Sequence, residues 1–265
     1  MSIEVSNLSF SYGDHQILND ISFTAEDNQL LSILGPNGVG KSTMFRCILG
    51  LQSGYRGNVL INGIDIKEID IREMAKLVAY IPQSHYPSFN FSVFDMVLMG
   101  TSIQVSAISS PGKKQVGKVQ AALERLGIDH LKNRGYTQIS GGERQLVLIA
   151  RALAQETKVL IMDEPAANLD FGNQVRVMSV IKSLAKDGYT IIQSMHNPEQ
   201  AFEFSDVVLA LKDGKVLARG ISDEIFTKAL IQSLYGIDVE MQSLYRGKIK
   251  VCIPRCIICE GYDRD

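Results

Sequence analysis

The sequence predicts an α/β fold built on a mainly parallel sheet, with an antiparallel portion near the N-terminus and a block of helices inserted midway. Three observations predict it. Short apolar runs alternate with helix-spaced amphipathic stretches over most of the 265 residues, and parallel strands need such crossover helices. Ile3–Val5 and Ile21–Ala25 alternate apolar and polar residues, as half-exposed antiparallel strands do. From about Ser92 to Ala154 the strand signals thin out and helical ones replace them.

Taken in order, Leu30–Leu34 is a nearly all-apolar run closing on Gly35, the composition of a strand covered on both faces. Val78–Ile81, Val159–Met162, Thr190–Ile192 and Val207–Leu211 read as further strands. Within the helical block, Ser92 is the expected N-cap of Val93–Met99, and Lys113–Leu126 repeats apolar positions at helical spacing. Thr101–Gly112, small and polar, reads as a loop. Lys248–Ile253 alternates like a closing strand and runs into Pro254. There is no internal repeat or low-complexity tract.

Hydrophobic residues make up 45% of the chain and charged residues 21%, as in ordinary globular proteins. No apolar run is long enough to span a bilayer, and the opening residues lack a basic-then-apolar leader. A cytosolic chain, or one held at a membrane by a partner, is expected. Net charge is −2 with a pI near 6.1 and no Lys/Arg run, which disfavours a nucleic-acid surface. Cys47, Cys252, Cys256 and Cys259 are too few and too unevenly placed for a disulfide scaffold.

Gly35-Pro36-Asn37-Gly38-Val39-Gly40-Lys41-Ser42-Thr43 follows the pattern G-x-x-x-x-G-K-[ST], with a strand before it and a helical pattern after. Glycines let backbone N–H groups turn inward around phosphate oxygens, and the positive end of the following helix points at them. Lys41 is expected on the β- and γ-phosphates and the Ser42 hydroxyl on Mg²⁺. Lys158–Met162 is a buried-strand run ending in Asp163-Glu164. Asp163 then suits the Mg²⁺ shell, and Glu164 suits the general base for an attacking water.

Ser140-Gly141-Gly142-Glu143-Arg144-Gln145 precedes this carboxylate pair by one amphipathic helix and resembles the signature motif of the ABC ATPases. Gln83 resembles their Q-loop glutamine, Ala167-Asn168-Leu169-Asp170 the D-loop, His196 the switch histidine, and Tyr12 the aromatic that stacks on adenine. Ile139 and Glu143 depart from the usual Leu and Gln without removing the phosphate-facing backbone. The resemblance covers nearly the whole chain. It implies a P-loop NTPase fold of the ABC nucleotide-binding type, with an antiparallel β subdomain and an inserted helical subdomain. On that reading residues 1–85 and 156–235 form the core, about 86–155 the helical insertion, and 236–265 a strand pair with a cysteine-containing tail. It also implies ATP and Mg²⁺ as ligands, with two ATPs between head-to-tail copies. Each γ-phosphate would face the P-loop of one copy and Ser140–Gly142 of the other, with Asp170 coupling the sites, His196 on the γ-phosphate and Gln83 on the metal.

Phe91–Gly100 resembles a stretch found in ATPases of importers for iron-siderophore, haem and cobalamin, and Tyr235–Glu240 is also similar to that group. The resemblance implies a membrane permease dimer docked in the groove beside Gln83 and the helical insertion. It further implies an indirect substrate-binding-protein partner and a peripheral place on the cytoplasmic face of the cell (inner) membrane. The competing reading is a soluble ABC ATPase of the iron–sulfur-cluster-assembly type. Cys252-x3-Cys256-x2-Cys259 reads as reduced cysteines, with metal or cluster ligation as the competing reading.

Overall fold

The computed structural model describes residues 1–83, 89–104, 111–246 and 249–255. Strands β1 (Ile3–Tyr12), β2 (His15–Ala25), β4 (Arg56–Ile61) and β5 (Ile64–Asp65) form an antiparallel sheet in the order β2-β1-β4-β5. A second sheet has the order β10-β9-β3-β8-β7-β6, from β3 (Leu30–Leu34), β6 (Val78–Ile81), β7 (Val159–Met162), β8 (Thr190–Met195), β9 (Val207–Lys212) and β10 (Lys215–Ile221). Its pairings are parallel except at the β9–β10 edge. A third sheet pairs β11 (Val239–Leu244) with β12 (Ile249–Pro254).

The six-stranded sheet separates two cores, and strand periodicity decides which residue enters which. Leu31 and Ile33 of β3, with Val159 and Ile161 of β7, face a core shared with the antiparallel sheet and helix α1 (Lys41–Ile48). Their neighbours Leu30, Leu34, Leu160 and Met162 face the opposite core. Successive side chains of a strand point to opposite faces, so a strand with apolar layers on both sides is mostly apolar, its few polar side chains such as Ser32 and Gln193 hydrogen-bonded to one another. The nearly all-apolar runs of the sequence answer to this double burial.

Helix α2 (Ile71–Leu77) leads into β6. Between β6 and its parallel neighbour β7 the chain makes α3 (Val93–Leu98), α4 (Lys113–Arg125) and α5 (Gly141–Ala154), all packed into the second core. Ser92 caps α3 as expected, its Oγ accepting the Asp95 N–H at 3.1 Å. The expected loop from Thr101 is partly wrong: Met99–Gln104 is a 3-10 helix. Its small polar side chains serve the backbone. Thr101 Oγ1 donates to Leu98 O at 2.8 Å, and Gln104 Nε2 donates to Gln155 O at 2.9 Å, just past the C-terminus of α5. Residues 105–110 of that loop lie outside the described residues.

After β7 come α6 (Phe171–Lys186), α7 (Pro198–Phe204), α8 (Ser222–Ile225) and α9 (Lys228–Tyr235). β12 matches the expected closing strand within its described residues. Cys256 and Cys259 lie outside them, so the reading of the cysteine tail does too. Among the described residues no helix is long and apolar enough to cross a membrane.

Candidate active site

The site forms at the carboxyl ends of β3, β7 and β8, where parallel sheets present their loops. β3 feeds the glycine loop, which turns into α1. Gly40 is the N-cap of that helix at φ 104°, a left-handed conformation that costs an L side chain. It supplies no capping side chain, and no acidic residue occupies the first turn. The first-turn N–H groups therefore have neither an intrahelical acceptor nor a side-chain cap, a donor set that fits a phosphate. A cleft of about 320 Å³ opens before them, its lining including Asn37, Lys41, Ser42, Thr43, Gln83 and Glu164.

Lys41 is 5% exposed and donates through Nζ to Gly35 O (2.7 Å) and Pro36 O (3.1 Å). Burial pulls its pKa below the ordinary value, and the nearby Glu164 and Asp163 carboxylates oppose that shift. Glu164 Oε1 stands 3.4 Å from the ammonium. The other oxygen, Oε2, accepts from Gln83 Nε2 at 3.1 Å and lies 3.1 Å from His196 Nδ1. Side chains from three separate segments thus converge on the Glu164 carboxylate.

Asp163 is buried, and its backbone N–H donates to Ile81 O of the neighbouring strand at 2.8 Å. Ser194, near the end of β8, donates through Oγ to Asp163 Oδ1 at 2.6 Å and accepts the Glu164 N–H at 2.9 Å. Glu164 itself has φ 47°, the left-handed region, where a non-glycine residue needs support from its surroundings. Burial raises the pKa of the Tyr80 phenol to about 12, and the Asp163 carboxylate adds to that shift. Sequence reasoning missed Ser194. Its only signal was a polar residue beside Gln193 in a strand run that is otherwise half apolar.

Oxygen donors at Ser42, Asp163 and the Gln83 side chain fit a hard cation such as Mg²⁺. Among the described residues no cluster of three or more His, Cys, Asp or Glu side chains forms a self-sufficient metal cage.

The remaining expected residues lie elsewhere. Tyr12 stands at the end of β1, 46% exposed and edge-on to Phe10 at 4.7 Å, outside the cleft lining. Ser140 caps α5 by a capping box: its Oγ accepts the Glu143 N–H at 3.2 Å, and Glu143 Oε2 accepts the Ser140 N–H at 2.7 Å. That backbone donor holds the Glu143 carboxyl below the usual carboxylate range. Gly141 and Gly142 occupy the first turn, packed against Leu169 and Asn173. An ideal Cβ on Gly142 would come within 2.3 Å of Asn173 Oδ1, so only glycine permits that approach. Asp170 caps α6, accepting from Asn173 N at 2.9 Å and from Asn173 Nδ2 at 2.6 Å. These residues group around the start of α6 and are absent from the lining of the Lys41 cleft.

The ABC transporter family profile matches residues 18–167. An uncharacterized ABC transporter ATP-binding protein of Haemophilus influenzae is 41% identical over 91% of this chain and 92% of its own length. A probable iron chelatin transport ATP-binding protein of Helicobacter pylori is 38% identical over 91% and 95%. Among solved structures, an inward-facing putative metal-chelate type ABC transporter superposes with a TM-score of 0.84 at 28% identity, covering 96% of this chain and 97% of its own. The chain belongs to the ABC transporter family and is an ATP-hydrolysing member of it.

Proposed function

We propose that the chain is the ATPase subunit of an importer, working as a head-to-tail pair that sandwiches two ATPs and drives uptake of an iron chelate or related metal chelate. The observation that carries the paired mechanism is the separation just described. Lys41, Gln83 and Glu164 line one cleft and His196 reaches it through Glu164 at 3.1 Å, while the first-turn amides of Gly141 and Gly142 sit with the α6 cap and make no such contact. A second copy would bring those amides to the γ-phosphate.

In this mechanism Lys41 binds the β- and γ-phosphates, and the first-turn amides of α1 cradle them. Ser42, Gln83 and Asp163 would hold a Mg²⁺ that neutralises charge on the same phosphates. Glu164 takes the proton from the attacking water, with Gln83 and His196 keeping its carboxylate aimed. Tyr12 stacks on adenine, and Asp170 couples the two sites from its cap position.

The cargo reading draws on what the similar proteins are said to transport: an iron chelatin in one relative, a metal chelate in the transporter of known structure. A permease would dock beside Gln83, near Phe89, whose ring is 71% exposed. Such a complex sits on the cytoplasmic face of the membrane and meets a substrate-binding protein only through the permease.

Two measurements test the proposal. Glu164→Gln, incubated with Mg-ATP, is expected to run as a dimer in size exclusion with light scattering, with turnover down ~10²–10⁴-fold. A monomer with wild-type turnover would exclude this mechanism. Affinity purification from detergent-solubilised membranes should recover a multi-span permease; recovery of soluble scaffold proteins alone would sink the importer reading.

A further inference from the structure

His196 is on an exposed segment, its side chain 50% accessible, yet the backbone there is tied from behind. Asn197 follows as the cap of α7, its carbonyl accepting the first helical bond from Ala201 N at 3.2 Å. The carbonyl of His196 lies one residue ahead of that ladder. Its partner comes from 39 residues away: Tyr235, the last residue of α9, donates its hydroxyl to His196 O at 2.8 Å. Three residues beyond His196, Glu199 Oε1 accepts the Cys252 N–H of β12 at 3.2 Å. Both ends of the His196–Glu199 stretch are thus held by elements at the C-terminal end of the described chain.

Those elements are fastened to one another and to the sheet domain. Leu230, Ile231 and Leu234 anchor α9 in the second core. Gly236 ends the helix at φ 71°, and Asp238 beyond it gathers the unit together. Its carboxylate pairs with Lys228 at the start of α9 (2.6 Å), and its carbonyl accepts the Arg255 N–H (3.0 Å) just past β12. Burial pushes the Tyr235 phenol pKa well up, so the hydroxyl stays a donor across the working pH range.

We infer that Tyr235 is a positioning residue for His196: with the Glu199–Cys252 link, its hydroxyl fixes the backbone that presents the imidazole to Glu164, so α9, β11 and β12 brace the reacting end of the site. The inference rests on the role proposed above for His196. It adds that a C-terminal unit with no residue in the cleft sets the efficiency of hydrolysis through one hydrogen bond.

The experiment is a double-mutant cycle of Tyr235→Phe and His196→Ala, with turnover read at protein concentrations that saturate dimer formation. Phenylalanine keeps the buried ring and deletes only the donor. Tyr235→Phe should lower kcat about three- to tenfold, the worth of one such bond, with equilibrium ATP affinity unchanged. In the His196→Ala background it should cost nothing further, because a merely structural role would add its effect while a positioning role cannot. Undiminished kcat, or full additivity, overturns the inference. Histidine-labelled NMR gives an arm independent of catalysis: Tyr235→Phe should shift the His196 ring resonances and leave those of His15 and His130 in place. Unmoved His196 resonances overturn it as well. If His196→Ala alone keeps wild-type turnover, the catalytic role of His196 falls, and the resonances alone decide whether Tyr235 positions its ring.

Discussion

The Lys41 ammonium and the Glu164 carboxylate stand 3.4 Å apart in the lining of the cleft before α1, both largely buried. In the proposed mechanism each has another partner: Lys41 the phosphate oxygens, Glu164 a water. Their mutual contact holds a buried cation and a buried anion in a compensated state while the helix amides of α1 stay open. Leaving either charge alone in that setting would be costly.

Lys41→Ala should therefore separate binding from chemistry. It removes a charge-assisted hydrogen bond to phosphate, worth about ten- to a hundredfold in ATP affinity. Equilibrium titration with a fluorescent ATP analogue is the check, and Glu164→Gln should bind the same analogue with near-wild-type affinity. Wild-type affinity in Lys41→Ala would remove Lys41 from the phosphate site.

Ser194 supports both carboxylates at once, through Asp163 Oδ1 and the Glu164 N–H. Ser194→Ala would leave a buried carboxylate oxygen and a buried amide without partners, a cost of about 1–3 kcal/mol in folding stability. A freed Asp163 should also hold its cation less well, so the Mg²⁺ concentration for half-maximal turnover should rise. Denaturant unfolding and a Mg²⁺ titration of the same sample read the two effects. An unchanged unfolding midpoint would mean the bridge contributes nothing.

What could be read from the chain and what could not divides along a physical line. Leu30–Leu34 and Val159–Met162 were legible because both faces of each strand are covered, which leaves a run that is apolar but for Ser32. β10 was not: it is an edge strand whose side chains alternate between exposed and half-buried, so its composition is mixed. β4 mixes Arg56, Gly57 and Asn58 with its apolar residues, and its register comes from β1 across the sheet. The site shows the same division. Gly35–Thr43, Asp163-Glu164 and Ser140–Glu143 are local runs, with chemistry written in neighbouring residues. Ser194 and Tyr235 act through partners some 30 and 39 residues away. Such pairings exist only once β7, β8 and α9 have packed, and no local pattern announces them.

Cys47 offers a prediction about pH. It lies on α1, fully buried against the antiparallel sheet, and desolvation pushes its thiol from the ordinary value of 9.0 to about 11. A raised folded pKa means the native chain keeps this proton longer than the unfolded one. The contribution is complete below pH 9 and is lost as pH rises toward about 11, at up to about 1.4 kcal/mol per pH unit. Cys47→Ala carries a small packing loss that does not depend on pH. The stability gap between wild type and variant should therefore be constant up to about pH 8.5 and narrow above it, as measured by guanidinium unfolding at steps up to about pH 10.5. The tyrosines other than Tyr55, and Cys252, titrate in both proteins and cancel in the difference; Tyr55, raised first by burial and in smaller part by Cys47, adds only to the loss in the wild type. A gap that stays flat through this range would show that the Cys47 thiolate is solvated in the folded chain, and that α1 opens to water far more readily than its buried face implies.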